Sequence, residues 1–225
     1  MRTRYEWPTG LARPLGTRPL LESWNARSDP AQVRLRSYRE RIGEVAREPV
    51  ALVRGPLAVA LEIALDKAGD LDNYLPPVAA ALKELAPVSF WALKRVGGES
   101  TLTLAEARPA FGHSAESGWA EVEARTTASA TTTAWKEQVA AQAGRQESAG
   151  RRGPMEVEVS FFVSPQRNWT TLWKPALDSL GGILGNDSDR RWRPRDDRIV
   201  HLGLHRFVVP DLGHDVRLLV WWRDV

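Results

Sequence analysis

The stretch GPLAVALEIALDKAGDLDNYLPPVAAAL, residues 55–82, carries the reading of the fold. In its first half Leu57, Val59, Leu61, Ile63 and Leu65 alternate with their neighbours, the two-residue period of a β-strand with one face on the core. In its second half an alanine-rich amphipathic run predicts a helix to about Leu85. Between the two stand Asp70 and Asp72, at the mouth of that helix. Two readings of the acids are open. Asp72 can cap the helix, accepting backbone N–H bonds at the positive end of the helix dipole, an effect of roughly 1 kcal/mol. Alternatively, residues i and i+2 of an extended segment point to one side, so two carboxylates can converge on one divalent cation.

Upstream, Val33, Tyr38, Ile42 and Val45 recur at helical spacing between Gln32 and Arg47, and Pro49 is expected to stop the helix. Downstream, VSFWALKRV (88–96) and STLTLAEA (100–107) read as two further strands. Residues 1–31, with Pro8, Pro14, Pro19 and Pro30, read as an irregular arm. Residues 109–133, rich in Gly, Ala, Ser and Thr, read as a linker.

Beyond the linker the same order of elements returns. Gly55-Pro56 recurs as Gly153-Pro154, 98 positions on, and at that spacing LAVALEIAL falls on MEVEVSFFV (155–163) without a gap. SYRERIGEV (37–45) resembles AWKEQVAAQ (135–143) after a one-residue shift. VSFWALKR pairs with IVHLGLHR (199–206), and STLTLAEA with DVRLLVWW (215–222). An ordered series occurring twice points to internal duplication. The expected architecture is therefore α/β, with mixed sheets and packed helices, in two copies: residues 32–108 and 134–225.

Composition sets the chemistry that remains. With 225 residues and 43% apolar content the chain can bury a full core. It has no cysteine, which excludes disulfides, thiolate metal sites and cysteine nucleophiles and leaves carboxylates, four histidines and hydroxyls. No apolar run is long enough to span a bilayer and no signal-like segment follows Arg2 and Arg4, so a cytoplasmic protein with no membrane partner is expected. Net charge is +3, and only Lys67, Lys83, Lys94, Lys136 and Lys174 are lysines among 31 basic residues. An arginine-rich surface suits bidentate phosphate contacts, and it also arises without function as a solvated face. The four histidines lack metal-ligand spacing and are assigned to structure; no nucleophile elbow or glycine-rich phosphate loop appears, GGILG (181–185) reading as a helix end.

Strand, DLDN, helix, acidic pair, and a strand with a basic end together resemble the RusA-type Holliday-junction resolvases. The first copy retains Asp70, Leu71, Asp72 and Asn73; the second retains Lys174, Asp178 and Leu180, followed by PRDDRIVHLGLHR with Asp196 and Asp197. The similarity covers most of residues 35–107 and 134–222. It implies a pseudo-dimer that acts on branched or double-stranded DNA, monomeric or homodimeric as a whole chain. It implies Mg2+ or Mn2+ held by Asp70, Asp72, Asp196 and Asp197, with Asp70, Asp72, Asp197 and Lys174 as the catalytic set. Neither copy has a complete acidic set, so at most one composite site is expected. Arg190, Arg191, Trp192, Arg193 and Arg195, together with Lys94, Arg95 and Arg206, are the candidate DNA contacts; the RRWRPRDDR loop can equally satisfy its own charges. Lys174 can meet a scissile phosphate or snorkel beside Trp173, and Asp178 reads as a surface or helix-stabilising acid. Two other functions stay open: an inactive DNA-binding pseudonuclease, and an interaction or scaffold protein that binds no nucleic acid.

Overall fold

A computed structural model describes residues 2–22, 29–65, 69–144, 153–186 and 192–225. The architecture is mixed α/β, as the alternation of periods implies, and the chain divides into two compact units. One comprises Tyr5–Ala110 with His201–Gly203; the other comprises Met1–Arg4, Phe111–Val200 and Leu204–Val225.

In the first, β1 (Arg4–Tyr5) and β2 (Arg13–Pro14) precede α1 (Pro30–Leu52), β3 (Leu57–Ala64), α2 (Leu75–Ala81), β4 (Ser89–Arg95), β5 (Thr101–Glu106) and β6 (Pro109–Ala110). The strands run in the order β2-β5-β3-β4, with β3 parallel to β4 and antiparallel to β5. Leu57, Ala58, Val59, Ala60, Leu61 and Ile63 of β3 are all buried, so both faces of this strand are covered. The alternation in the sequence is one of size, large against small, rather than of apolar against polar. Fully burying a side chain such as Leu61 or Ile63 stabilises by roughly 1.5–3 kcal/mol. Helix α1 packs on α2 and β5 through Leu35, Tyr38, Ile42 and Ala46.

One expectation for this unit is corrected. Pro49 does not stop α1, which continues to Leu52. So close to the helix end, proline removes a single ladder bond, and the helix tolerates it. The N-terminal arm has little regular structure, and it is held on the core: Leu15 is fully buried, its N–H donates to Ser100 O, and Arg41 Nε donates to Leu15 O at 2.8 Å. Arg39 Nη2 reaches both carboxylate oxygens of Glu22 at 2.8 Å.

The second unit holds β7 (Ala120–Thr126), α3 (Thr133–Ala143), β8 (Met155–Val163), α4 (Trp173–Asp178), α5 (Gly181–Leu184), β9 (Ile199–Val208) and β10 (Val216–Asp224). Its strand order is β9-β8-β10-β7, with β10 antiparallel to both β8 and β7. Strand β7 overturns the reading of residues 109–133 as a linker. Its small and charged residues match linker composition, yet Ala120, Val122 and Ala124 alternate with Glu121, Glu123 and Arg125, and β10 supplies a partner. Trp135, Val139 and Ala143 give α3 its buried face. Packing is close where α5 begins, since a Cβ on Gly182 would lie 2.6 Å from Gly144 Cα. Among the described residues no helix is long and apolar enough to cross a membrane.

Candidate metal centre

Asp70 and Asp72 are placed by what surrounds them in the chain. Leu71, Tyr74, Leu75, Pro77 and Val78 are buried, which pins a tight 3-10 turn at Leu71–Asn73 onto the core and leads directly into α2. Asp70 precedes the turn with an extended backbone (φ −67°, ψ 129°), and its side chain makes no capping bond. Asp72 lies within the turn, 4% exposed. The capping interpretation is therefore not met. The extended Asp-x-Asp geometry is not met either, because a turn, not a strand, sets the two side chains. Asn73 Nδ2 donates to Asp70 Oδ2 at 3.4 Å.

The other acids sit on a second 3-10 turn, Asp196–Arg198. Arg198 anchors that turn from beneath: its guanidinium is buried and donates to Gly153 O at 2.8 Å and to Leu184 O at 2.7 Å. Gly185 (φ +79°) gives the backbone the bend at which its carbonyl accepts from Arg195 N–H at 2.9 Å. Asp196 turns inward, 8% exposed, whereas Asp197 faces solvent. Lys174 on α4 reaches Asp196 Oδ2 at 3.0 Å and Asp178 Oδ1 at 3.2 Å. Lys136 on α3 reaches the other oxygen of Asp178 at 2.7 Å.

Asp70 and Asp72 belong to the first unit and Asp196 to the second. Of the expected pair it is Asp196, not Asp197, that turns inward. All three are hard oxygen donors, the kind that suits Mg2+ or Mn2+.

The expected DNA contacts are more scattered. Arg193 is exposed and Arg195 half-buried, while Trp192 takes a left-handed backbone (φ 71°). Arg190 and Arg191 lie outside the described residues. Arg95 is paired with Glu62 at 2.7 Å, and Arg206 Nη2 donates to Pro165 O at 2.8 Å, so both guanidinia are partly engaged within the protein. Lys94 is half-buried on β4.

Two features escaped the sequence reading. Lys136 was not singled out, since nothing in the sequence brings it to Asp178. Glu158 was not singled out either, yet it is a buried carboxylate with Nε2 of His113 at 2.8 Å, Nε2 of His205 at 3.4 Å and Arg4 at 3.8 Å. An acid within the apolar strand MEVEVSFFV was the available signal. Compared with known proteins, the chain matches no family model and no curated protein.

Proposed function

We propose that this protein is a magnesium-dependent, structure-selective DNA endonuclease of the kind its motifs resemble, with Asp70, Asp72 and Asp196 as the acids that would hold the metal. The observation that carries the reading is a buried carboxylate, Asp72, two residues from Asp70 at one short turn, together with the inward-turned Asp196 beside Lys174 on the other unit.

The tandem origin of the two units has further support. The turn Leu71–Asn73 and the turn Trp169–Leu172 both lead directly into a short helix, and β3 and β8 begin 98 positions apart, as the motifs do. Each unit orders its matching strands alike, β5-β3-β4 in one and β10-β8-β9 in the other. The strand partners shift one detail: Leu57 opposite Glu106 and Met155 opposite Asp224 make β5 and β10 correspond three positions beyond the pairing read from sequence.

When bound, a divalent cation would polarise a phosphodiester and lower the pKa of coordinated water. Asp70, Asp72 and Asp196 bind and orient that charge. Lys174, at Asp196, neutralises a non-bridging phosphate oxygen as negative charge builds. The second copy has Asn168, Thr170 and Thr171 where the first has Asp70, Asp72 and Asn73, so one incision is made per encounter.

The test is incubation with four-way, three-way and linear duplex DNA in Mg2+ or Mn2+. Nicking of branched DNA that is lost in Asp70→Asn and Asp196→Asn supports the reading. Salt-sensitive binding with no incision and no metal uptake would leave a DNA-binding pseudonuclease. Neither binding nor cleavage would leave an interaction protein.

A further inference from the structure

Strand β7 stands at the edge of its sheet and pairs with β10 on one side only. Such an edge offers its outward N–H and C=O groups to any strand that comes alongside. In an antiparallel ladder the two groups of one residue point the same way and the direction alternates along the strand, so Glu121, Glu123 and Arg125 form one row. Arg125 shows that this row faces outward, because both of its groups are bonded to a side chain of α3. Gln142 Oε1 accepts the Arg125 N–H at 3.0 Å, and Gln142 Nε2 donates to Arg125 O at 2.9 Å. A primary amide carries the donor and acceptor of a peptide group, and here it takes the place of one residue of a neighbouring strand. Four residues earlier on α3, and so on the same side of it, Gln138 Oε1 accepts from the next outward N–H, that of Thr127, at 3.1 Å and from Thr126 Oγ1 at 2.7 Å. Gln142 Nε2 also donates to Gln138 O at 2.7 Å, which fixes the amide in place.

We propose that Gln138 and Gln142 close β7 to strand addition, and that the partner they exclude is the β7 of a second copy of this chain. A two-fold pairing centred on Glu123 sets Glu121 of each copy opposite Arg125 of the other, two opposite-charge pairs against the one like-charge pair at the centre. That register uses the N–H and C=O of Arg125 in both copies, the groups that Gln142 holds. The part of the row left open, Glu121 and Glu123, is shorter than an ordinary strand and cannot hold a partner by itself.

The test is analytical ultracentrifugation of the full chain, from micromolar to several hundred micromolar, with amide hydrogen exchange alongside. The double variant Gln138→Ala/Gln142→Ala is expected to associate at a concentration about ten-fold or more below that of wild type. Glu123→Pro added to it removes the central outward N–H without touching the β10 ladder, and should return it to the wild-type state. The Arg125 and Thr127 amides should exchange slowly in wild type, quickly in the dilute double variant, and slowly again once it associates. Far-UV circular dichroism checks folding, and Gln142→Ala alone, which opens only the Arg125 position, replaces the double variant if that does not fold. A variant that melts lower yet keeps the wild-type association state at every concentration would show that the two glutamines only fasten α3 to β7, and would overturn the proposal. Association that Glu123→Pro leaves intact would overturn it as well, because β7 would not be the surface that joins.

Discussion

Nε2 of His113 lies 2.8 Å from Oε1 of Glu158, and Nε2 of His205 lies 3.4 Å from the other oxygen of the same carboxylate. Burial is the largest influence on Glu158 and by itself would raise its pKa. The hydrogen bonds from His113 and His205 and their charges outweigh it, bringing the pKa from 4.5 to about 2. For His205, burial comes first and lowers its pKa, against the pull of Glu158.

Both shifts mean that the folded protein holds fewer protons than the unfolded chain. Stability is therefore expected to be greatest above about pH 6.5, to decline below it as His205 resists protonation, and to fall further from pH 4.5 toward 2 as Glu158 must be protonated. The Glu158 shift is equivalent to about 3 kcal/mol. Urea denaturation across pH 3–8 reads this out. Glu158→Gln should lose the acid limb of the curve; an unchanged limb would show that other carboxylates carry it.

How much of this could be read beforehand follows from what each signal depends on. The strand at Leu57–Ala64 and the helix that follows were legible because their periods are local. Strand β7 was not, because an exposed edge strand of Ala, Glu and Thr differs from a linker only through its pairing with β10. The choice between Asp196 and Asp197 was not legible either. Adjacent acids are equivalent in sequence, and only the anchoring of Arg198 beneath the turn decides which one faces inward.

Leu15 tests how firmly the arm is held. It is fully buried and its backbone is bonded to both Ser100 and Arg41. Leu15→Ala should lower unfolding free energy by about 2–5 kcal/mol, a core-sized loss from a segment that composition marks as irregular. A loss below about 0.5 kcal/mol would return the arm to a loosely attached tail.

Asp70 and Asp72 make a further prediction about stability. Both acids are expected to serve as metal ligands. Asp70→Asn should therefore abolish the rise in melting temperature that millimolar Mn2+ gives the wild type. A destabilised variant that still responds to Mn2+ would mean that Asp70 is structural and the ion binds elsewhere.

The arginines divide into those engaged within the protein and those exposed, and DNA binding should show the difference. Arg95 pairs with Glu62 at 2.7 Å and Arg206 donates to Pro165 O at 2.8 Å, so each has fewer N–H groups to offer a phosphate, whereas Arg193 faces solvent. Each phosphate contact releases counterions and contributes about 0.9 to the slope of log affinity against log salt. Arg193→Ala is expected to lower that slope by about 1 on a four-way junction, and Arg95→Ala by clearly less. Glu62→Gln gives the complementary result: releasing the Arg95 guanidinium should raise the slope. Fluorescence anisotropy between 50 and 300 mM KCl measures all three, and equal slopes for Arg193→Ala and wild type would remove the Arg193 loop from the DNA surface.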